Sequence, residues 1–257
     1  MTDAIRITID DAVMRIAFNR PEKKNAFTNL MYEAMSEALR HAENDPLVRA
    51  VLFEAEGDAF TAGNDITDFA AIASGKLGRH EMKVHKFLGH LAQAQKPYVA
   101  AVQGLAVGIG TTMLMHCDLV FVAEDAKLTT PFVNLALVPE AASSWLIPSR
   151  IGHARAFAMF ALGEAIDGRT AVNLGLANAA LPAAEVRAKA LEAAKALAQR
   201  PAGALQATKR LMRDAAAISA VIARESEIFA ERLQTAEAAE AFAAFSERRA
   251  PDFSKLS

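Results

Sequence analysis

Cysteine is scarce in this chain. Cys117 is the single cysteine among 257 residues, so no intrachain disulfide can form. Its neighbours Leu114, Met115, Leu119 and Val120 suit a buried thiol of a reducing compartment better than a nucleophile. An excess of either charge is also missing. Lys and Arg number 28 against 30 Asp and Glu, for a net charge of −2. That balance offers no electrostatic case for nucleic acid or an acidic membrane surface. No apolar run approaches the roughly 18 residues of a membrane span. Met1–Asp11 has acidic residues and no basic stretch ahead of an apolar one. It does not read as a secretory signal, and the expected location is the cytoplasm. His80, His85, His90, His116 and His153 form no ligand set with nearby carboxylates, so no metal is expected.

What is present is apolar and patterned. Hydrophobic residues make up 53% and charged residues 23%, the balance of a folded globular chain with a sizeable core. Ile5–Ile9 and Val13–Phe18 alternate around Asp10–Asp11 and predict a hairpin. Asn19–Arg20–Pro21 stops the second strand. Thr28 then caps a helix running to about Glu43, with Leu30, Met31, Met35 and Leu39 near helical spacing. Val48–Phe53, Pro97–Val102 and Leu119–Ala123 are short, almost wholly apolar strands, as in a buried sheet. Gly108–His116 predicts a short buried helix, and Met82–His90 a helix beside a pocket, with Phe87 and Leu88 as candidate lining. The alternation of strand, loop and helix predicts an α/β fold around a mostly parallel sheet. After about residue 150 alanine dominates and strand signals vanish. Ala183–Ala198, Ala202–Arg213, Ala216–Leu233 and Ala236–Arg248 all predict helices. Few of their side chains are large, so they are expected to pack on the sheet domain or on a neighbouring subunit.

Three segments carry chemistry. Glu140 follows Pro139 at the end of the apolar run Phe132–Val138, and an unpartnered carboxylate is costly to bury. Its bland alternative is a helix N-terminal carboxylate ahead of Ser143, Ser144 and Trp145. Gly57–Asp65 follows a buried strand, where small residues would let a ligand approach the backbone N–H of Asn64. Gly104–Gly110 has neither P-loop nor dinucleotide-binding spacing. It opens a helix, however, whose first N–H groups, Ile109 among them, would stabilise a developing negative oxygen.

Several motifs taken together resemble the enoyl-CoA hydratase/isomerase (crotonase) superfamily over nearly the whole chain. They are Asn19-Arg20-Pro21…Asn25-Ala26, Ala59-Phe60-x-Ala62-Gly63-x-Asp65, Gly104-x-Ala106-x-Gly108 and Cys117-Asp118. Gly175-Leu176-Ala177 and Phe245-x-Glu247-Arg248-Arg249-x-Pro251-x-Phe253 complete the set. The resemblance implies a spiral core of β-β-α units over residues 1–195 and a C-terminal helical trimerisation region over 196–257. It implies a homotrimer or dimer of trimers, and acyl-CoA thioester substrates with no separate cofactor. The thioester oxygen would sit in an oxyanion hole of backbone N–H groups, here those of Asn64 and Ile109. Around the substrate it places Lys24, Ala26, Ala62, Asp65, Ile66, Gly108 and Phe132, with Phe245 and Arg248 reaching the CoA of an adjacent subunit, against a plain helix surface. Lys23 and Lys24 are candidates for the CoA phosphates, against a solvated turn. Asp65 and Asp68 read as capping or positioning residues rather than acids.

The acid/base residues separate the reactions of this superfamily. Its hydratases use two glutamates, whose positions fall here on Thr112 and Phe132, neither of them a carboxylate. Glu140 occupies the place of the single catalytic glutamate of the peroxisomal-type Δ3,Δ2-enoyl-CoA isomerases. The surrounding Pro131-Phe132…Pro139-Glu140-Ala141-Ala142-Ser143-Ser144 resembles their pattern. One carboxylate near both C2 and C4 suffices for a double-bond shift, and an apolar surround should raise its pKa. The expected activity is therefore β,γ to α,β isomerisation. The alternatives are an enoyl-CoA hydratase (a lyase) of fatty-acid or aromatic-acid β-oxidation, and a non-catalytic acyl-CoA-binding module.

Overall fold

A computed structural model describes residues 2–65 and 82–256. Strands β1 (Ile5–Asp10) and β2 (Val13–Phe18) form the antiparallel hairpin. β2 is continued in parallel by β3 (Ala50–Ala55), β4 (Tyr98–Val102), β6 (Leu119–Ala123) and β9 (Ala179–Leu181), giving the order β1-β2-β3-β4-β6-β9. Residues of β3 and β4 are all buried, which is why these strands read as continuous apolar runs. A second sheet joins β5 (Leu105–Val107), β7 (Lys127–Thr129) and β8 (Ile166–Asp167). The first sheet supplies most of the core. The small second sheet carries the loop that opens the site.

Helix α1 (Asn29–Asn44) starts where Thr28 accepts a hydrogen bond from the Met31 N–H, as its sequence signature predicts. It packs beside α2 (Val84–Gln93). The predicted helix over 108–116 divides into one α-turn, α3 (Ile109–Thr112), and a 3₁₀ turn over Met113–His116. α4 (Ser143–Ile151), α5 (His153–Phe157) and α6 (Gly168–Asn173) follow. α7 (Ala183–Ala198) covers β3, β4 and β6 with its alanine face. α8 (Ala202–Met212), α9 (Ala215–Arg232) and α10 (Ala236–Ser246) complete the chain, the last two capped by the side chains of Asp214 and Thr235.

Two expectations need correction. Strands do occur after residue 150, since β9 extends the main sheet beside β6. It is three half-buried residues at a sheet edge, two of them alanines, so neither its hydropathy nor its β-propensity marks it out. The last helix ends at Ser246 rather than Arg248. Arg248 turns left-handed (φ 55°), and the Arg249 N–H donates back to the Ala244 carbonyl at 3.0 Å. One hydrophobic cluster runs from Ile5 to Phe242, so the C-terminal helices share the core of the sheet domain.

Candidate active site

The segment after β3 is pinned from both sides. On one side Ala62 N–H donates to the Lys24 carbonyl (2.8 Å), and Phe27 N–H to the Gly63 carbonyl (2.7 Å). On the other, Thr61 N–H donates to Leu105 O (3.0 Å) and Val107 N–H to Thr61 O (3.0 Å). Asp65 N–H donates to Phe27 O at 2.8 Å, so Asn64 sits between two bonded residues with its own N–H directed away from Phe27. Among the described residues that N–H has no hydrogen-bond acceptor. Gly63 is required here: its φ is 87°, and a Cβ would come 2.8 Å from the Val107 carbonyl oxygen. The Tyr32 hydroxyl donates to Asn64 Oδ1, and the Tyr32 ring joins a run of aromatic contacts through Phe27, Phe18 and Phe60.

The motif around Asn19–Ala26 does its work in holding this loop. Asn25 is fully buried, with its side-chain NH₂ donating to the carbonyls of Glu56 and Ala59 at 2.8 Å each. Arg20 donates to the Ala26 carbonyl (3.0 Å) and to Asp65 Oδ2 (2.7 Å). Asp65 and Ala26 are therefore tied to Arg20, which places Asp65 as a positioning residue. Lys24 is exposed, and its backbone rather than its ammonium meets the loop. Ile66 lies outside the described residues, as do Asp68 and His80.

Gly108 lies between β5 and α3 at φ 56° and ψ −118°, a conformation closed to side-chain-bearing residues. It starts α3, so the Ile109 N–H belongs to the first turn and has no intrahelical partner. Phe132 is buried against Phe160, with ring centroids 6.2 Å apart, and its Cε1 approaches Gly108. Two cavities meet at Asn64 and Phe229. The first is lined by Glu140, by Met82, His85 and Leu88, and by Ser226 and Leu233. The second is lined by Ala62, Gly108, Ile109, Phe132, Phe245 and Arg249. Leu88 thus faces the site as expected, while Phe87 turns into the core against Tyr32, 5.6 Å between centroids. Phe245 lines a cavity of its own chain. Arg249, bridged to Glu240 and Glu247, takes the lining place expected of Arg248, which the left-handed turn swings outward.

Glu140 is 8% exposed, and its Oε1 accepts the Thr112 hydroxyl proton at 2.5 Å. Thr112 is on α3, three residues past Ile109, or about 4.5 Å along the helix axis. The carboxylate is thereby fixed to the helix whose first turn offers the Ile109 N–H. Burial pushes the Glu140 carboxyl up to about 8, Glu225 adds to the rise, and the Thr112 hydrogen bond opposes it. A group titrating there alternates readily between base and acid near neutral pH.

Glu140 does not cap α4. The free N–H groups there belong to Ala142 and Ser144, and they donate to Glu225 of α9 at 2.6 and 2.9 Å. Glu225 does the capping and leaves the Glu140 carboxylate to the cavity. Sequence reading missed Glu225, although its spacing from Ile218 and Ile222 puts it on the buried stripe of α9. Ala141 and Ala142 both have left-handed backbone (φ 60° and 57°), at about 1–2 kcal/mol each for an L-residue. Cys117 is buried with its thiol pushed up to about 12, as suits an inert core residue. Among the described residues no group of His, Cys, Asp and Glu could hold a metal ion, and no helix is long and apolar enough to cross a membrane.

A family model described as enoyl-CoA hydratase/isomerase matches residues 8–255, and the chain belongs to that family, the crotonase superfamily. It is 34% identical over 212 residues to enoyl-CoA delta isomerase 2 of Rattus norvegicus, which covers 81% of this chain and 54% of the relative. The chain thus spans about half the length of the first curated relatives it matches. It is also 30% identical to a probable enoyl-CoA hydratase of Bacillus subtilis, over 98% of both chains. Among solved structures, an enoyl-CoA hydratase/isomerase from Pseudoalteromonas atlantica superposes with a TM-score of 0.91 at 38% identity. That match covers 98% of this chain and 100% of the other. Relatives of both reaction types therefore share this fold, and the site must choose between them.

Proposed function

We propose that the chain is a Δ3,Δ2-enoyl-CoA isomerase acting on acyl-CoA thioesters. One observation carries the reading: among the described residues Glu140 is the carboxylate lining the cavity shared with Asn64, and the positions matched to the hydratase glutamates hold Thr112 and Phe132. In the proposed reaction ionised Glu140 takes a proton from C2 of the β,γ-unsaturated thioester. The electron pair delocalises into a dienolate whose oxygen receives the N–H groups of Asn64 and Ile109. One such donor is worth about 3 kcal/mol in a transition state. Protonated Glu140 then returns the proton at C4, which leaves the α,β double bond and regenerates the base. Phe132, Leu137 and the residues of α9 exclude water that would divert the dienolate. The Ala62–Asn64 and Gly108 backbone, with Phe245, would border the thioester and pantetheine arm. The rat isomerase supports the reading by its name. A cytoplasmic location and a trimer or pair of trimers belong to the same proposal.

The test is a parallel assay on 3-enoyl-CoA and 2-enoyl-CoA with wild type and Glu140→Gln. Wild type should form the conjugated thioester from the first and leave the second largely unhydrated. Glu140→Gln should lose at least roughly 10²–10⁴-fold in kcat while still binding the thioester. Faster hydration of 2-enoyl-CoA than isomerisation of 3-enoyl-CoA would make the protein a hydratase. Tight binding with turnover of neither would make it a binding module.

A further inference from the structure

The peptide unit between Ala141 and Ala142, one residue past Glu140, is held at both ends. Its carbonyl oxygen accepts from His116 Nε2 at 2.8 Å, and its N–H donates to Glu225 Oε2 at 2.6 Å. The tautomer of His116 follows from its other partner. Arg213 Nη2 lies 2.5 Å from His116 Nδ1, and a guanidinium only donates, so Nδ1 accepts and the proton sits on Nε2. Arg213 is itself fixed, donating to the Leu91 carbonyl at 3.0 Å. Burial and the Arg213 charge push the His116 imidazole down to about 3, so it is neutral at working pH. None of these groups lines either cavity. They lie behind the base, and the element they grip is the consecutive left-handed pair Ala141–Ala142, a conformation that persists only when its surroundings enforce it.

We propose that His116 and Glu225 are positioning residues of the reaction, fixing Glu140 against Thr112 by clamping the Ala141–Ala142 peptide from opposite sides, with Arg213 setting the His116 tautomer. The inference rests on Glu140 as the base. Without the clamp the left-handed pair relaxes, and Glu140 swings relative to the α3 helix start that carries Ile109. The cavity walls stay in place, because α2, α9 and the 57–65 loop supply them. Loss of the clamp therefore reads out in turnover rather than in thioester affinity. A misplacement of about 1 Å costs on the order of 10²-fold in rate.

Three variants test this on 3-enoyl-CoA. His116→Leu removes the Nε2 donor and should lower kcat roughly 100-fold with KM within about twofold of wild type. His116→Gln restores an N–H near the Nε2 position and should recover about tenfold of that loss. Glu225→Gln keeps one acceptor oxygen and removes a negative charge that raises the Glu140 carboxyl. Its kcat should fall, and the acidic limb of kcat/KM should move to lower pH. Among the described residues His116 and Glu225 grip this loop, Arg232 donates to its Ala136 carbonyl at 3.1 Å, His85 of α2 lines the cavity with Glu140, and Arg213, Arg150 and Lys209 stand near His116. Wild-type kcat in folded His116→Leu, KM rising in step with the loss, or no recovery in His116→Gln would overturn the proposal. Should His116→Leu not fold, wild-type kcat with an unmoved profile in Glu225→Gln would overturn it. If Glu140→Gln itself stays active, the assignment of the base has failed instead, and the two failures are told apart.

Discussion

At the scale of the residue, Glu140 is a balance of opposed effects. Burial disfavours its charge and Glu225 adds like-charge repulsion, while the Thr112 hydroxyl stabilises the anion. Burial dominates, which places the group at about 8 instead of in the usual carboxylate range. Only the ionised form abstracts a proton, so kcat/KM for isomerisation should climb as pH rises towards about 8 and then level. Thr112→Val removes the stabilising hydrogen bond and should raise the proton affinity of Glu140 roughly tenfold. Its acidic limb should shift to higher pH, opposite to Glu225→Gln. A pH–rate profile unmoved in Thr112→Val would mean that the limb reports another group. The residue alone was conspicuous in the sequence because carboxylates are rarely set among apolar residues. Its partner Thr112, 28 positions away, was visible only as a site where a glutamate is lacking.

Elements decide where the proposed donors point. Asn64 and Ile109 lie 45 positions apart and meet because β5 runs beside residue 61 and hands the chain to α3. Gly63 sustains this approach. Gly63→Ala should force the Val107 carbonyl away and misplace the Asn64 N–H. The expected result is a fall in kcat of roughly 10²–10³-fold with the fold retained, measured by steady-state kinetics beside circular dichroism. A variant that keeps its full rate would show that Asn64 is not a donor to the oxyanion. The hairpin, α1 and the buried parallel strands were legible because their periodicity and caps are strong. β9 was not, because its three residues resemble the surrounding alanine-rich chain. The helix over 108–116 was legible in place but not in form, since it tightens into a 3₁₀ turn after Thr112.

The whole molecule brings the C-terminal helices onto the site. α9 supplies Glu225 behind Glu140 and Phe229 at the junction of the cavities, and α10 supplies Phe245. Phe245→Ala is expected to raise KM several-fold with kcat nearly unchanged, because the residue borders the site away from Glu140. A kcat effect without a KM effect would place it in the chemistry instead. Leu211 and Met212 stand 89% and 82% exposed at the end of α8, adjacent apolar groups that suit a contact between copies in the proposed trimer. Sedimentation should give three or six times the monomer mass, and Leu211→Asp with Met212→Asp should reduce it. A monomeric wild type would contradict the trimer.

The sequence by itself determined the α/β class, the buried strands, the family motifs and the single suspect carboxylate. Each of these is a local matter of periodicity, turn chemistry or an out-of-place charge. Only the tertiary structure decided what those parts do together. It showed that Arg20 and Asn25 brace the loop, that Phe245 and Arg249 line a cavity of their own chain, and that His116 and Glu225 stand behind Glu140. Such partnerships depend on hydrogen bonds between residues up to 97 positions apart, as in His116 with Arg213. Neither spacing nor composition encodes them, because it is packing in three dimensions that brings the partners within reach.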